Sequence, residues 1–196
     1  MYLFYTPDIE TSHFLSEEEF FSFLSKRQGI LDGVCITGGE PTLQKELIPF
    51  MEKIRKMGYL IKLDTNGARP DVLKEIIEKG LTDYVAMDLK ASPVRYAEAV
   101  GIEKFDFSLV SESIKILEES DVSHEFRTTV TEELHNEDDF PEILSLFSES
   151  TPYFLQQFKD SGNLIDENSH GWSTERMRSL VAELQKNHRN VNLREG

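Results

Sequence analysis

Three short strings in this sequence gather groups that suit a small zwitterion, a ligand with an amino group beside a carboxylate. Thr37-Gly-Gly-Glu-Pro-Thr42 follows the apolar run Gly33-Val-Cys-Ile36. Its paired glycines tolerate positive φ and let backbone N–H groups approach a ligand closely. Glu40 sets a carboxylate there, suited to an ammonium group, and a helix expected from Glu40 to Met57 adds the positive end of its dipole. Asp64-Thr-Asn-Gly67 closes the run from Tyr59 to Leu63, and Asp88-Leu-Lys90 closes the run that begins at Tyr84. Two neighbouring carboxylates repel, and burying both is costly without a cation. A hard cation or Lys90 would relieve Asp64 and Asp88; a structural Asp–Lys pair capping the strands is the plainer reading. Asn66-Gly67 fits a simple turn. Arg127, after the run from His124, suits either an anion contact or a surface ion pair, and the sequence leaves both open. Gln156 and Gln157 point to opposite faces of an expected strand, so one of them faces the cavity.

These strings are positioned by alternating elements. Ser16 with Glu19 reads as a capping box opening a helix that Gly29 closes. Apolar residues at helical spacing mark helices at 40–57, 70–79, 109–119, 138–148 and 174–187, and short apolar runs mark strands at 33–37, 59–63, 84–89, 124–131 and 153–158. Residues 92–108 read as irregular and 159–172 as a polar loop. Strands alternating with helices imply βαβ units and a parallel sheet. In such sheets ligands sit beyond the carboxyl ends of the strands, where all of these polar groups fall.

The chain has 196 residues, enough for one α/β domain spanning 1–196. Its net charge of −15 disfavours nucleic-acid binding, because phosphate backbones would be repelled. It shows no membrane-length apolar stretch and no signal peptide, so a cytoplasmic protein with no membrane partner is expected. Cys35 is the single cysteine and reads as a small buried hydrophobe. The 5 histidines show no paired spacing for a metal site.

Gly38-Gly-Glu-Pro41 resembles the GGEP motif of radical S-adenosylmethionine (SAM) enzymes. Leu63-Asp-Thr-Asn-Gly67 and Met87-Asp-Leu-Lys90 are similar to the corresponding segments of glycyl-radical-enzyme activating enzymes. The longer string Gly33-Val-Cys-Ile-Thr-Gly-Gly-Glu-Pro-Thr-Leu-Gln44 resembles the activating proteins of anaerobic ribonucleoside-triphosphate reductase. The resemblance covers most of residues 7–160. It implies a partial (β/α) parallel barrel of the radical SAM type, with SAM held by Gly38, Gly39, Glu40, Pro41, Asp88, Lys90 and Gln157. It also implies a monovalent cation site at Asp64, Thr65 and Asp88, and a glycyl radical enzyme as partner. The implied reaction is reductive cleavage of SAM to methionine and a 5′-deoxyadenosyl radical, which abstracts hydrogen from a glycine of that partner.

The family's [4Fe–4S] cluster needs three cysteines spaced CxxxCxxC. Aligned on Tyr5-Thr-Pro-Asp8, the third and second positions fall on Phe4 and Met1, and the first lies before the chain. The expectation is therefore a barrel truncated at its first strand, with no iron–sulfur ligand and no catalytic residue in this chain. A wrongly assigned start, a decayed paralogue and a non-catalytic variant compete; a truncated, degenerate member is favoured. The alternative function is a non-catalytic SAM- or partner-binding module derived from the family.

Overall fold

A computed structural model describes residues 15–158 and 170–195. Six strands form one sheet in sequence order: β1 (Gly33–Ile36), β2 (Leu60–Thr65), β3 (Tyr84–Asp88), β4 (Ser123–Val130), β5 (Tyr153–Gln157) and β6 (Val191–Arg194). Every neighbouring pair is parallel. The helices between them are α1 (Glu17–Ser25), α2 (Leu47–Lys56), α3 (Pro70–Glu78), α4 (Tyr96–Val100), α5 (Ser108–Glu118), α6 (Asp139–Leu144) and α7 (Thr174–Leu184). This is the partial parallel α/β barrel expected from the sequence. Among the described residues no helix is long and apolar enough to cross a membrane.

Strand alternation separates the two faces of the sheet. Ile61, Leu63, Val85, Met87, Phe126, Tyr153, Leu155 and Val191 are buried against the helices. They pack with Leu73 and Ile76 of α3, Ile114 and Leu117 of α5, and Leu180 and Leu184 of α7. Each such side chain contributes ~1.5–3 kcal/mol by leaving water. The register partners Cys35 and Lys62, Lys62 and Tyr84, Asp88 and Arg127, and Thr129 and Gln156 share the opposite, concave face.

Four local expectations change. The helix expected over 40–57 is a 3-10 turn at Pro41–Leu43 followed by α2, which begins only at Leu47. Glu40 caps that turn by accepting from the Thr42 N–H, and the chain breaks at Gln44, whose backbone is extended at φ −80° and ψ 121°. The segment 92–108 is more regular than expected, with a 3-10 turn at Pro93–Arg95 and α4, which ends at Gly101 with φ 68°. Helix α6 stops at Leu144 rather than reaching 148. The sixth strand, β6, was not expected. The Ser16 capping box is present: the Ser16 N–H donates to Glu19 at 2.8 Å and the Glu19 N–H donates to Ser16 Oγ at 3.2 Å. Residues 1–14, which hold the positions Met1 and Phe4 aligned to the cluster cysteines, lie outside the described residues, as does the expected polar loop from 159 up to residue 169.

Candidate active site

At the carboxyl ends of β1 to β4 one polar cavity of about 150 Å³ is lined by Thr37, Gly38, Gly39, Glu40, Asp64, Thr65, Asn66, Asp88, Lys90 and Arg127. Gly38 and Gly39 adopt φ of 95° and 52°, left-handed values that side chains rarely accept. They turn the chain sharply out of β1 so that Glu40 points back at β2. Gly67, just beyond β2, has φ 72°, and a Cβ there would sit 2.0 Å from Met87 Cε, so β3 packs directly on this turn.

Glu40 accepts four hydrogen bonds within the chain. Its Oε1 accepts from the Thr42 N–H at 3.1 Å, the Thr42 hydroxyl at 2.6 Å and the Thr65 hydroxyl at 2.8 Å, and its Oε2 accepts from the Asn66 N–H at 2.6 Å. Three donors crowd Oε1 and one sits on Oε2, so Oε2 keeps an acceptor site. Glu40 therefore stitches the glycine turn to the end of β2, and it offers the cavity its negative charge and the remaining acceptor site of Oε2.

Arg127 resolves the repulsion between the two aspartates. Its guanidinium donates to Asp88 at 2.8 Å and to Asp64 at 3.2 Å. Lys62 also donates to Asp64, and Lys90 donates to Asp88 at 2.9 Å. Burial works against ionisation of Asp64, but the Lys62 hydrogen bond and the Arg127 charge outweigh it and hold the carboxyl below its usual range. Burial likewise opposes the Arg127 charge, and the two aspartates overcome it and raise the guanidinium further. The cation expected at Asp64, Thr65 and Asp88 thus has its electrostatic task met by side chains. Thr65 lies on the buried, helix-facing side of β2, where its oxygen serves Glu40 and accepts from the Gly67 N–H at 3.2 Å. Among the described residues no cluster of three or more His, Cys, Asp or Glu is placed to hold a metal ion.

Two expected site residues sit elsewhere. Pro41 is buried and lines an adjoining, mostly apolar cavity of about 220 Å³ with Ile36, Leu47 and Phe50. Gln157 is directed to the helix side, where its amide donates to the Trp172 carbonyl at 3.3 Å and the Thr174 hydroxyl at 3.0 Å. Strand alternation gives the concave face to Gln156 instead, whose Oε1 lies 3.4 Å from the Thr129 hydroxyl. Arg127 is the member that sequence reasoning left undecided; its signal was its register opposite Asp88. Cys35 is half-buried on the concave face rather than in the core. Burial, then the Asp64 charge, push its thiol up, away from the thiolate a metal needs.

The sequence signature described as the Radical SAM superfamily matches residues 6–147. The chain belongs to the radical SAM superfamily. A Methanocaldococcus jannaschii protein named as a glycyl-radical enzyme activating enzyme is 34% identical over 132 residues, covering 65% of this chain and 55% of that protein. The 7-carboxy-7-deazaguanine synthase of Thermococcus kodakarensis is 32% identical over 119 residues, covering 60% and 45% respectively. This radical SAM chain spans about half the length of these curated relatives. In fold it matches Streptococcus suis SuiB bound to S-adenosylmethionine with a TM-score of 0.69 at 11% identity, over 96% of this chain and 45% of that one. It matches archaeal TYW1 with a TM-score of 0.61 at 18% identity, over 92% and 66%.

The family's SAM and its [4Fe–4S] cluster make different demands on these residues. The cavity carries both signs of charge at amino-acid scale and fits the methionine end of SAM. The cluster does not fit: it needs three thiolates, and the sequence holds one cysteine, in mid-strand, with its thiol pushed toward the protonated form.

Proposed function

We propose that the rim cavity binds the amino-acid moiety of S-adenosylmethionine. In this reading the chain is the SAM-holding body of a glycyl-radical-enzyme activating enzyme, of the kind that serves anaerobic ribonucleoside-triphosphate reductase. The observation that carries it is the opposed charge on one small cavity behind paired positive-φ glycines. Lys90 presents an ammonium to the ligand carboxylate. Its side chain is 43% exposed and, among the described residues, is held by Asp88, so it is able to turn to a ligand. Arg127 holds the other oxygen of Asp88 and helps keep the Asp64 carboxyl below its usual range. Glu40 and the aspartates supply the negative potential that favours the ligand ammonium. The glycine turn lets backbone come close to the ligand, and Gln156 is the glutamine on the ligand side of β5.

The activating-enzyme half of the reading rests on two Methanocaldococcus jannaschii relatives that carry that name. Relatives named 7-carboxy-7-deazaguanine synthase match at similar identity, so likeness to named relatives does not by itself fix a substrate. A glycyl radical enzyme is the proposed partner.

A second reading is favoured by the cysteine count. With one cysteine this chain cannot ligate the cluster that delivers the electron, and on its own it would act as a SAM- or partner-binding module. Anaerobic reconstitution with iron and sulfide, followed by assay of both, should leave the chain colourless and free of stoichiometric iron; a brown product near four irons per chain would contradict this. Titration with SAM, and competition by free methionine, tests the cavity. Saturable binding of SAM that methionine displaces supports it, and SAM binding indifferent to methionine would move the site elsewhere.

A further inference from the structure

Consecutive carbonyls at the end of β3 are held by side chains from other elements. The Thr128 hydroxyl donates to the Leu89 carbonyl at 2.7 Å. His135 Nε2 lies 3.0 Å from the Lys90 carbonyl. The Tyr96 hydroxyl makes a longer approach, 3.5 Å, to the Asp88 carbonyl. Asp88 and Lys90 are the charged pair of the rim cavity, so this backbone segment sets where that pair stands.

The His135 contact is chemically specific. A carbonyl only accepts, so Nε2 carries the proton. The other ring nitrogen, Nδ1, accepts from the backbone N–H of Thr131 at 3.2 Å, and an N–H only donates. The two partners together demand one tautomer of the neutral ring. The ring is 2% exposed and stacks on Phe140 with centroids 5.9 Å apart and planes 20° apart. Burial pushes the imidazole pKa below its ordinary value; Asp139 of α6 pulls upward and Arg95 pushes further down. Neighbouring ties support the same seam. Ser92 donates to Asp139 at 3.1 Å, and Arg95 donates to the carbonyls of Leu134 at 2.7 Å and Glu133 at 3.0 Å.

We propose that His135 is a positioning residue for Lys90: its neutral ring grips the Lys90 peptide and fixes the direction from which the Lys90 ammonium meets the ligand carboxylate. This rests on the SAM reading above. The competing account is a satisfied core histidine with no bearing on the ligand, and the two differ in whether the effect of His135 passes through Lys90.

The test is a double-mutant cycle on the full chain, using SAM affinity by calorimetry with His135→Phe, Lys90→Ala and the double variant, alongside backbone deuterium uptake over residues 86–95. Phe keeps the ring against Phe140 and removes both hydrogen bonds. The expected result is about a fivefold loss of affinity for His135→Phe in the parent, on the scale of one hydrogen bond, and less than about a twofold loss in the Lys90→Ala background. Uptake at 88–92 should rise. Equal losses in both backgrounds, or unchanged affinity, would overturn the proposal. A parent chain that binds no SAM removes the functional reading; faster uptake at 88–92 in His135→Phe then still supports the grip on Lys90, and unchanged uptake overturns it. Should His135→Phe fail to fold, His135→Gln retains a donor with reach to the Lys90 carbonyl. Affinity within about twofold of the parent supports the proposal, and a loss as large as that of Lys90→Ala contradicts it.

Discussion

On β2, Ile61 and Leu63 face the helices and are 1% and 0% exposed, while their neighbours Lys62 and Asp64 face the concave side and form an ion pair. The same contrast runs across β4, where Phe126 packs in the core and Arg127 reaches Asp64 and Asp88. It recurs on β5, where Leu155 is buried and Gln156 is not. The two faces are made from alternate residues of the same strands, one storing apolar burial and the other storing charge. A one-residue slip would exchange them, so the apolar face also fixes the register that brings the charged residues together. Stability and the proposed ligand recognition are therefore adjacent in sequence and expected to be separable by mutation.

That separation is open to attack from both sides. The largest expected effect is on the apolar face. Leu63→Ala removes a fully buried side chain at the centre of the sheet and should cost about 2–5 kcal/mol in urea unfolding, leaving the ligand affinity of the folded fraction unchanged. A large affinity loss would mean that the two faces are not independent.

A smaller effect is expected from Arg127→Met on the charged face, about 1–3 kcal/mol at neutral pH. Its side chain is 11% exposed and its loss leaves Asp64 and Asp88 without their shared partner. The pH dependence follows from Asp64, whose carboxyl is held below its usual range in the fold, against burial, by Lys62 and Arg127. Such a group contributes stability above its unfolded pKa of about 3.9, and that contribution fades as pH falls through the lower folded value. The cost of Arg127→Met should therefore be greatest near pH 7 and shrink below about pH 4. A cost independent of pH would show that packing, not charge, is what Arg127 supplies.

The smallest effect is expected at His135. Its pKa is lowered in the fold by burial, so the neutral ring's contribution is complete above the unfolded value of about 6.5 and lost as pH falls toward the folded one. The parent's melting temperature should decline between about pH 7 and 5 more steeply than that of His135→Gln, as followed by circular dichroism.

Much of the sheet was readable in advance because five of the strands carry apolar residues at alternate positions, as a sheet covered on one face by helices requires. Strand β6 was missed because Val191-Asn-Leu-Arg194 is short and half polar, although Val191 and Leu193 do alternate with Asn192 and Arg194. The site was readable at the level of which strand ends carry charge. What sequence alone did not deliver were pairings set by geometry across strands: Arg127 bridging two aspartates 39 and 63 positions away, and Glu40 tied to Thr65 and Asn66. The choice between Gln156 and Gln157 needed the strand's facing. It follows from Tyr153 and Leu155 being the buried pair on β5, which puts Gln157 with them and Gln156 with the site.

The most direct test compares two lysines that flank the same aspartates. Lys90 lines the cavity, whereas Lys62 pairs with Asp64 and is not among the cavity's lining residues. Calorimetric titration of the intact chain with S-adenosylmethionine should show saturable binding, weak for want of the cluster, with a dissociation constant in the range of roughly 0.1–1 mM. Lys90→Ala should weaken it at least about tenfold, while Lys62→Ala should stay within about threefold of the parent. No binding at millimolar ligand, or equal losses for the two lysines, would contradict the assignment of this cavity to the ligand's carboxylate.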